Sequence, residues 1–283
     1  VVLITAAVIF SVLRAVLPYT TSYKNEIQQE ISLQIGLPVE IESIDAAIHW
    51  FSPRLRLLGV TVYDAKHKVP LFNFQEAFVQ LDVMASALRR DIIVDDIGLI
   101  GATLSIEKLS DQEWLVQGIK FTSGGSDELP EKFLYMIQNA DYLLHDSNIY
   151  YQDHTGEKLN LNLVDVNIDV NNDFNNHDIK FSMNLPDDYG ESIAVVANLS
   201  GELNALEGDV YVEATRIKVN QWNKKFNLQD IYQVDAVVDI NLWASLEDNT
   251  FQTLITEFKS KAVSVRNNST KNSWATDYLS SNL

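Results

Sequence analysis

The chain has 283 residues, and its 21 lysines and arginines stand against 39 aspartates and glutamates, a formal net charge of -18. That balance repels nucleic acid and argues against a polybasic membrane-surface binder. Cysteine is absent, which excludes disulfides, thiolate metal sites and a cysteine nucleophile while fitting either redox compartment.

Val1 to Leu17 is an almost unbroken apolar run. As a helix it would rise about 26 Å against a hydrocarbon core of about 30 Å. Arg14 can snorkel to the interface, and Pro18 and Tyr19 mark the exit from the apolar phase. The run is expected to be a retained transmembrane anchor; a signal peptide and a buried core helix are the alternatives, and no clean small-residue cleavage site follows Leu17. Next, Tyr23, Ile27, Ile31 and Ile35 recur every four residues within Ser22 to Ile35, predicting a short amphipathic helix that Gly36 and Pro38 stop.

From Val39 the period drops to two. Val39 and Ile41 open one strand, Leu55 and Leu57 another, and Val60 and Val62 continue after a phase change near Gly59. The stretches Phe72 to Val83, Asp91 to Ile97 and Ala102 to Ile106 read as further strands. Between Pro130 and Leu144 the pattern becomes helical, with Phe133, Met136, Ile137, Ala140 and Leu144 on one face. A soft division falls at about residue 125, where Ser123, Gly124, Gly125 and Ser126 interrupt the apolar pattern. The expected organisation is an anchor over 1–17, a first β segment with its helix over 18–125, a second segment of helix and then strands over 126–265, and a polar tail or truncation edge over 266–283. Only 11 glycines and 6 prolines are present, so Asn, Asp and Ser must make most turns.

The second half alternates most cleanly. Val164, Val166, Ile168 and Val170 interleave with Asp165, Asn167, Asp169 and Asn171, and Val234 to Leu246 sustains the same habit, long enough for a bulge to divide it. Long antiparallel strands with one apolar face must pack that face on something or line a groove with it. A closed sandwich and a curled open sheet that binds acyl chains both satisfy this pattern.

A family resemblance then adds a direction. The apolar anchor and Leu17-Pro18 exit are followed by Ile35-Gly36-Leu37-Pro38-Val39-Glu40-Ile41, Ile44-Asp45-Ala46, Trp50-Phe51-Ser52-Pro53 and Val60-Thr61-Val62-Tyr63-Asp64. The order continues through Ile97 to Leu104, Gly208-Asp209-Val210-Tyr211 and Val219-Asn220-Gln221-Trp222. In that order and spacing the chain resembles the N-terminal part of the YhdP-like, AsmA-related proteins of Gram-negative bacteria. The resemblance implies a mainly β fold: long antiparallel strands in a curled, elongated groove, preceded by one transmembrane helix and a short amphipathic helix. It also implies a single-pass inner-membrane protein whose β body lies in the periplasm, and a bridge-like role in moving phospholipids toward the outer membrane. Phospholipids, the inner membrane and envelope proteins are the implied partners, without a cofactor.

Within that reading the candidate lipid lane is Val164, Val166, Ile168, Val170, Val238, Ile240 and Leu242, while Trp50 and Trp114 read as rim or packing anchors. A passive lane needs no catalytic group, and the enzymatic signals are weak. His145 with Asp141, Asp146, Asp153 and His154 is the richest polar cluster, yet its spacing matches no strong metal site, and His145 reads as a charge at a helix end. No Gly-x-Ser-x-Gly, His-Glu-x-x-His or glycine-rich phosphate loop occurs. The alternatives to transport are a membrane-tethered β-sandwich binding module, and a structural or regulatory envelope protein that carries no lipid.

Overall fold

A computed structural model describes residues 24–49, 52–64, 69–89, 93–122, 140–155, 159–173, 175–202, 205–225, 232–267 and 270–282. The expected anchor over 1–17 and Trp50 lie outside them. Among the described residues no helix is long and apolar enough to cross a membrane. The chain is mainly β, with fifteen strands and three helices among those residues. It divides into two compact units: Val1–Thr103 with Leu129–Ser147, and Leu104–Glu128 with Asn148–Leu283.

The first unit starts with helix α1 (Lys24–Ile35). Strands β1 (Val39–His49), β2 (Ser52–Tyr63), β3 (Pro70–Leu81) and β4 (Val94–Ile100) then pair in antiparallel order, with helix α2 (Val83–Arg89) between the last two. The start of β8 (Asp141–Asp153) joins β4 in parallel, from Asp96 opposite Asp141 to Ile100 opposite His145. Helix α1 rests on β1, where Ile27 and Ile31 pack against Val39, Ile41, Val60 and Val62. Ser32 ties the two together: its hydroxyl accepts from the Val39 amide at 3.0 Å and donates to the Gln28 carbonyl at 2.8 Å. Leu33 faces away, 70% exposed.

The sheet of this unit exchanges its apolar face halfway along. Directly opposed residues share a face. Val39, Ile41, Val60, Val62, Phe72 and Phe74 therefore stand together under α1. Farther along the same strands that face becomes polar with Asp45, Arg56, Arg54, Glu76 and Gln80, and the apolar residues move to the other side. No register shift separates these halves of the β1–β2 pair, so the change is written in sequence phase: Ile41 is followed by Ile44, and Leu57 by Leu58.

The second unit contains β5 (Thr103–Lys108) from Leu104 on, β6 (Glu113–Val116), β7 (Ile119–Thr122) and the latter half of β8. It continues with β9 (Leu159–Asp173), β10 (Asn176–Asn184), β11 (Ser192–Ser200), β12 (Glu207–Lys218), helix α3 (Val219–Lys225), β13 (Tyr232–Glu247), β14 (Thr250–Asn267) and β15 (Ser273–Asn282). Strands β9 to β15 pair antiparallel in sequence order. Asp248 and Asn249, at φ of 50° and 57°, turn β13 into β14 where left-handed backbone is required, and Gln117 with Gly118 does the same between β6 and β7. His177 is buried at 6% exposure between β9 and the turn after β11. Its ring nitrogens lie 2.7 Å from Asn172 Oδ1 and 3.0 Å from the Gly201 carbonyl.

Two expectations are corrected. Leu144 and His145 belong to strand β8 rather than to a helix, because Asp141 to His145 form a β ladder with β4; residues 130–139 lie outside the described set. The sequence from Arg266 on is not a polar tail. Ser273–Asn282 forms β15 and pairs with β14 from Glu257 to Arg266.

Three bulges with left-handed backbone shape the long strands, and a fourth, at Gln252, lies beside the β13–β14 turn. Asp165, Arg216 and Ala262 have φ of 51°, 52° and 55°. Each sits where one strand carries an extra residue: opposite Met183, opposite Asp239 and beside Ala236, respectively. A bulge bends its strand and increases its twist. All three lie in the half of the sheet away from the Asp248–Asn249 turn. Left-handed backbone costs a non-glycine residue about 1 to 2 kcal/mol. Ala262→Gly is therefore expected to raise stability by about 1 kcal/mol and Ala262→Val to lower it by at least as much, read from urea midpoints at unchanged slope.

Candidate functional site

The ladders of the second unit bring apolar side chains onto one face, row by row. Ile168 opposes Phe181, which opposes Val195, then Val212, Leu242 and Thr256. The adjacent row runs Val170, Ile179, Ala197, Val210, Ala244 and Leu254. On the other side of the first row, Ile193, Ala214, Ile240 and Phe258 follow Met183, and Ile217 opposes Val238. The reverse face carries Asn167, Ser182, Glu213, Asn241 and Glu257, and also Asp169 with Lys180.

The bulges keep this face apolar. In β9, Leu159, Leu161 and Leu163 occupy odd positions, whereas Val166, Ile168 and Val170 occupy even ones. The extra residue at Asp165 returns both sets to the same side. In β12 the bulge carries the apolar set from Ala214 to Ile217. In β14 it carries the set from Val265 and Val263 to Ser260 and Phe258.

Of the seven lane candidates, Val166, Ile168, Val170, Val238, Ile240 and Leu242 stand on this face. Val164 does not. It pairs with Asn184 while Asn167 pairs with Ser182, so the bulge places Val164 with the polar side chains. Leu159 and Leu161, buried at 6% and 8% exposure, occupy the lane where alternation alone had put Val164. The adjacent apolar pair Leu163-Val164 is the sequence signal of the phase change. Phe181, Val195 and Val212 also belong to the face; their shorter strands alternate too, but only the ladder shows that they share a side with Ile168.

Burial distinguishes this face from a closed core. In a sandwich, a facing sheet buries the large side chains in the middle of such a face completely. Here the buried apolar members are Val166, Ala197, Ala214, Ala236, Ala244 and Val263, whereas Ile168, Phe181, Val195, Val212, Leu242 and Phe258 remain half-buried. Among the described elements of this unit, β9 to β15 contact their sheet neighbours and α3 rests on β13. At one end of the face the β10–β11 turn packs against Ile217 and α3. A Cβ on Gly190 would come within 3.0 Å of Ile217 and Leu185, and the Trp222 indole donates to the Tyr189 carbonyl at 3.1 Å, its ring edge-on to Tyr189.

Trp114 is a packing residue. Its ring centroid lies 6.5 Å from that of Tyr151, and Lys108 Nζ sits 5.7 Å above it. Close by, His154 Nε2 is 3.2 Å from Glu107 Oε2. The Ser110 hydroxyl caps the β5–β6 turn by accepting from the amides of Gln112 and Glu113. The proposed cluster around His145 is dispersed along β8, and no group of three metal-binding side chains occurs among the described residues.

The first unit has an apolar face of its own. Ala46, Leu55, Val79, Ile97 and Tyr142 form one cross-strand row, and Ile44, Leu57, Ala77, Leu99 and Leu144 the next. On the reverse side lies a charged network. Arg54 donates to Gln80 at 3.0 Å and to Asp96 at 3.1 Å, and Gln80 donates to Asp95 at 2.9 Å. The Arg54 guanidinium lies 4.4 Å above the Phe78 ring, which covers Gly98 so closely that a Cβ there would overlap it. Burial, reinforced by the neighbouring Asp95, raises the Asp96 carboxyl above the usual aspartate range, and Arg54 offsets part of that rise. Arg56 forks onto Glu76 at 2.8 and 2.6 Å.

A family model described as YhdP protein matches residues 1–280. The chain belongs to the YhdP family. No curated protein and no solved structure matches it. In this YhdP-family chain, the contiguous half-buried apolar rows are the most extended apolar feature of the second unit's described sheet.

The Arg56–Glu76 pair gives a pH prediction. The hydrogen bond from Arg56 holds the Glu76 carboxyl below the usual glutamate range. A lowered folded value adds stability that is present above the unfolded glutamate pKa and is lost as pH falls through the folded one. Glu76→Gln should therefore be less stable by about 1 kcal/mol at neutral pH, with the gap closing in acid, as measured by denaturant melts across pH.

Proposed function

We propose that this chain is a membrane-anchored section of a periplasmic bridge that carries phospholipid acyl chains along an apolar β groove between the inner and outer membranes. The observation that carries the reading is the continuous, half-buried apolar face of β9 to β14 in a YhdP-family chain. Each methylene that leaves water for such a face gains about 0.8 kcal/mol. An acyl tail can satisfy the whole length of the lane while its headgroup stays in water. The bulges at Asp165, Arg216 and Ala262 supply the bending that a curled sheet needs. Because the gain is spread over many side chains rather than gathered in one pocket, a tail can slide with small barriers, and no catalytic group takes part. In this reading Val1 to Leu17 anchors the chain in the inner membrane and the β body stands in the periplasm. A closed sandwich module is disfavoured by the half-buried state of Ile168, Phe181 and Leu242.

The test is photo-crosslinking in cells, with a probe at Leu161, Val166, Ile168 or Ile240 and with Val164, Asn167 and Asn241 as reverse-face controls, followed by mass analysis. Phospholipid adducts are expected at the first four positions and not at the controls. Absence of lipid from every position in folded, probe-bearing protein would sink the groove and favour a structural envelope role.

A further inference from the structure

The polar face of the second unit carries one apolar row that the lane does not use. Val196 opposes Tyr211, Tyr211 opposes Trp243, and Trp243 opposes Ile255, across β11 to β14. Val196, Trp243 and Ile255 are 37%, 42% and 51% exposed. The Tyr211 and Trp243 rings, 5.4 Å apart, stand side by side, and the row borders a shallow depression with Asn198, Asp209, Ser245 and Thr253.

We propose that this row is a docking site for a cationic amphipathic helix of a partner protein. The charges on either side favour that occupant. One flanking row is Ala194, Glu213, Asn241 and Glu257, and the other is Asn198, Asp209, Ser245 and Thr253. Both contain acids and neither contains a lysine or arginine. Beyond the second, toward the turns, stand Glu207 and Glu247. Among the described ladder positions, the cations beside these rows are Lys180, opposite Val196, and Lys259, which is 3.0 Å from Glu257. The chain's charge of -18 disfavours an anionic bilayer on this surface.

The dimensions also match. Four strands about 4.8 Å apart give a row of about 14 Å, the rise of about ten helical residues. Apolar side chains at i, i+4 and i+7 of a helix laid across the strands recur at nearly the strand spacing. The acidic rows lie about 7 Å to either side, within reach of lysine and arginine stems that flank the apolar stripe. The site is on the opposite side of the sheet from the lane, so it stands or falls independently of lipid carriage.

The probe is a synthetic, helix-forming peptide of about 14 residues with leucines at that spacing and lysines on both flanks. A scrambled peptide of the same composition is the control. Binding to the full chain in zwitterionic nanodiscs is read by anisotropy, with empty nanodiscs subtracted. The amphipathic peptide should bind in a salt-sensitive way. Val196→Ser with Ile255→Ser should weaken it about tenfold or more while leaving the Tyr211–Trp243 pair and the melting profile in place. Asp209→Lys with Glu213→Lys should weaken it similarly and transfer preference to a peptide with glutamates in place of its lysines. Equal binding of the scrambled peptide, or indifference to both double variants, would overturn the proposal. Self-association of the chain that the same variants abolish would assign the row to a second copy and overturn it as well.

Discussion

The structure of the second unit depends on one constraint: a long antiparallel ladder must keep its apolar side chains on a single face. A strand has a strict period of two, so any odd insertion in the hydrophobic pattern would throw half of the strand to the wrong side. Here Asp165, Arg216 and Ala262 absorb those insertions as bulges with left-handed backbone. The same three residues then bend the strands they correct. Keeping the face apolar and curving the sheet are thus one operation, performed at the cost of local backbone strain.

The first unit meets the hydrophobic problem in another way. Its sheet is apolar on one face near Val39 and Val62 and on the other near Leu55 and Val79. Helix α1 covers the former, with Ile27 and Ile31 supplying the contact and Ser32 fixing the join. Where the apolar residues cross over, the vacated face is filled by the Arg54, Gln80 and Asp96 network and the Arg56–Glu76 fork. Those charges compensate one another, which allows them to occupy a sheet face whose backbone is already fully engaged in ladders. Phe78 anchors the arrangement by lying on Gly98 below and accepting Arg54 above.

Much of this was legible in the sequence. Alternation located β9 and β13 because each has a polar neighbour for almost every apolar residue, and Asp248-Asn249 could be read as a turn from the residues that tolerate positive φ. Helix α1 followed from the four-residue spacing of Ile27 and Ile31. The misreadings share a cause. Leu144 and His145 fit a helical period, but the pairing of Asp141 to His145 with β4 captured them as strand. The polar stretch after Ser273 contains no apolar run, yet β14 offers its free edge and the backbone hydrogen bonds suffice.

The sequence by itself determined a mainly β chain whose strands alternate apolar and polar residues, an acidic composition and no thiol chemistry, because these depend only on composition and local period. Tertiary structure decided which apolar residues share a side. Val164 and Val166 are indistinguishable by alternation, and the bulge at Asp165 separates them only through the register with Ser182 and Asn184. It also decided that Val196, Tyr211, Trp243 and Ile255 form one exposed row, since residues so distant along the chain become neighbours only through cross-strand pairing.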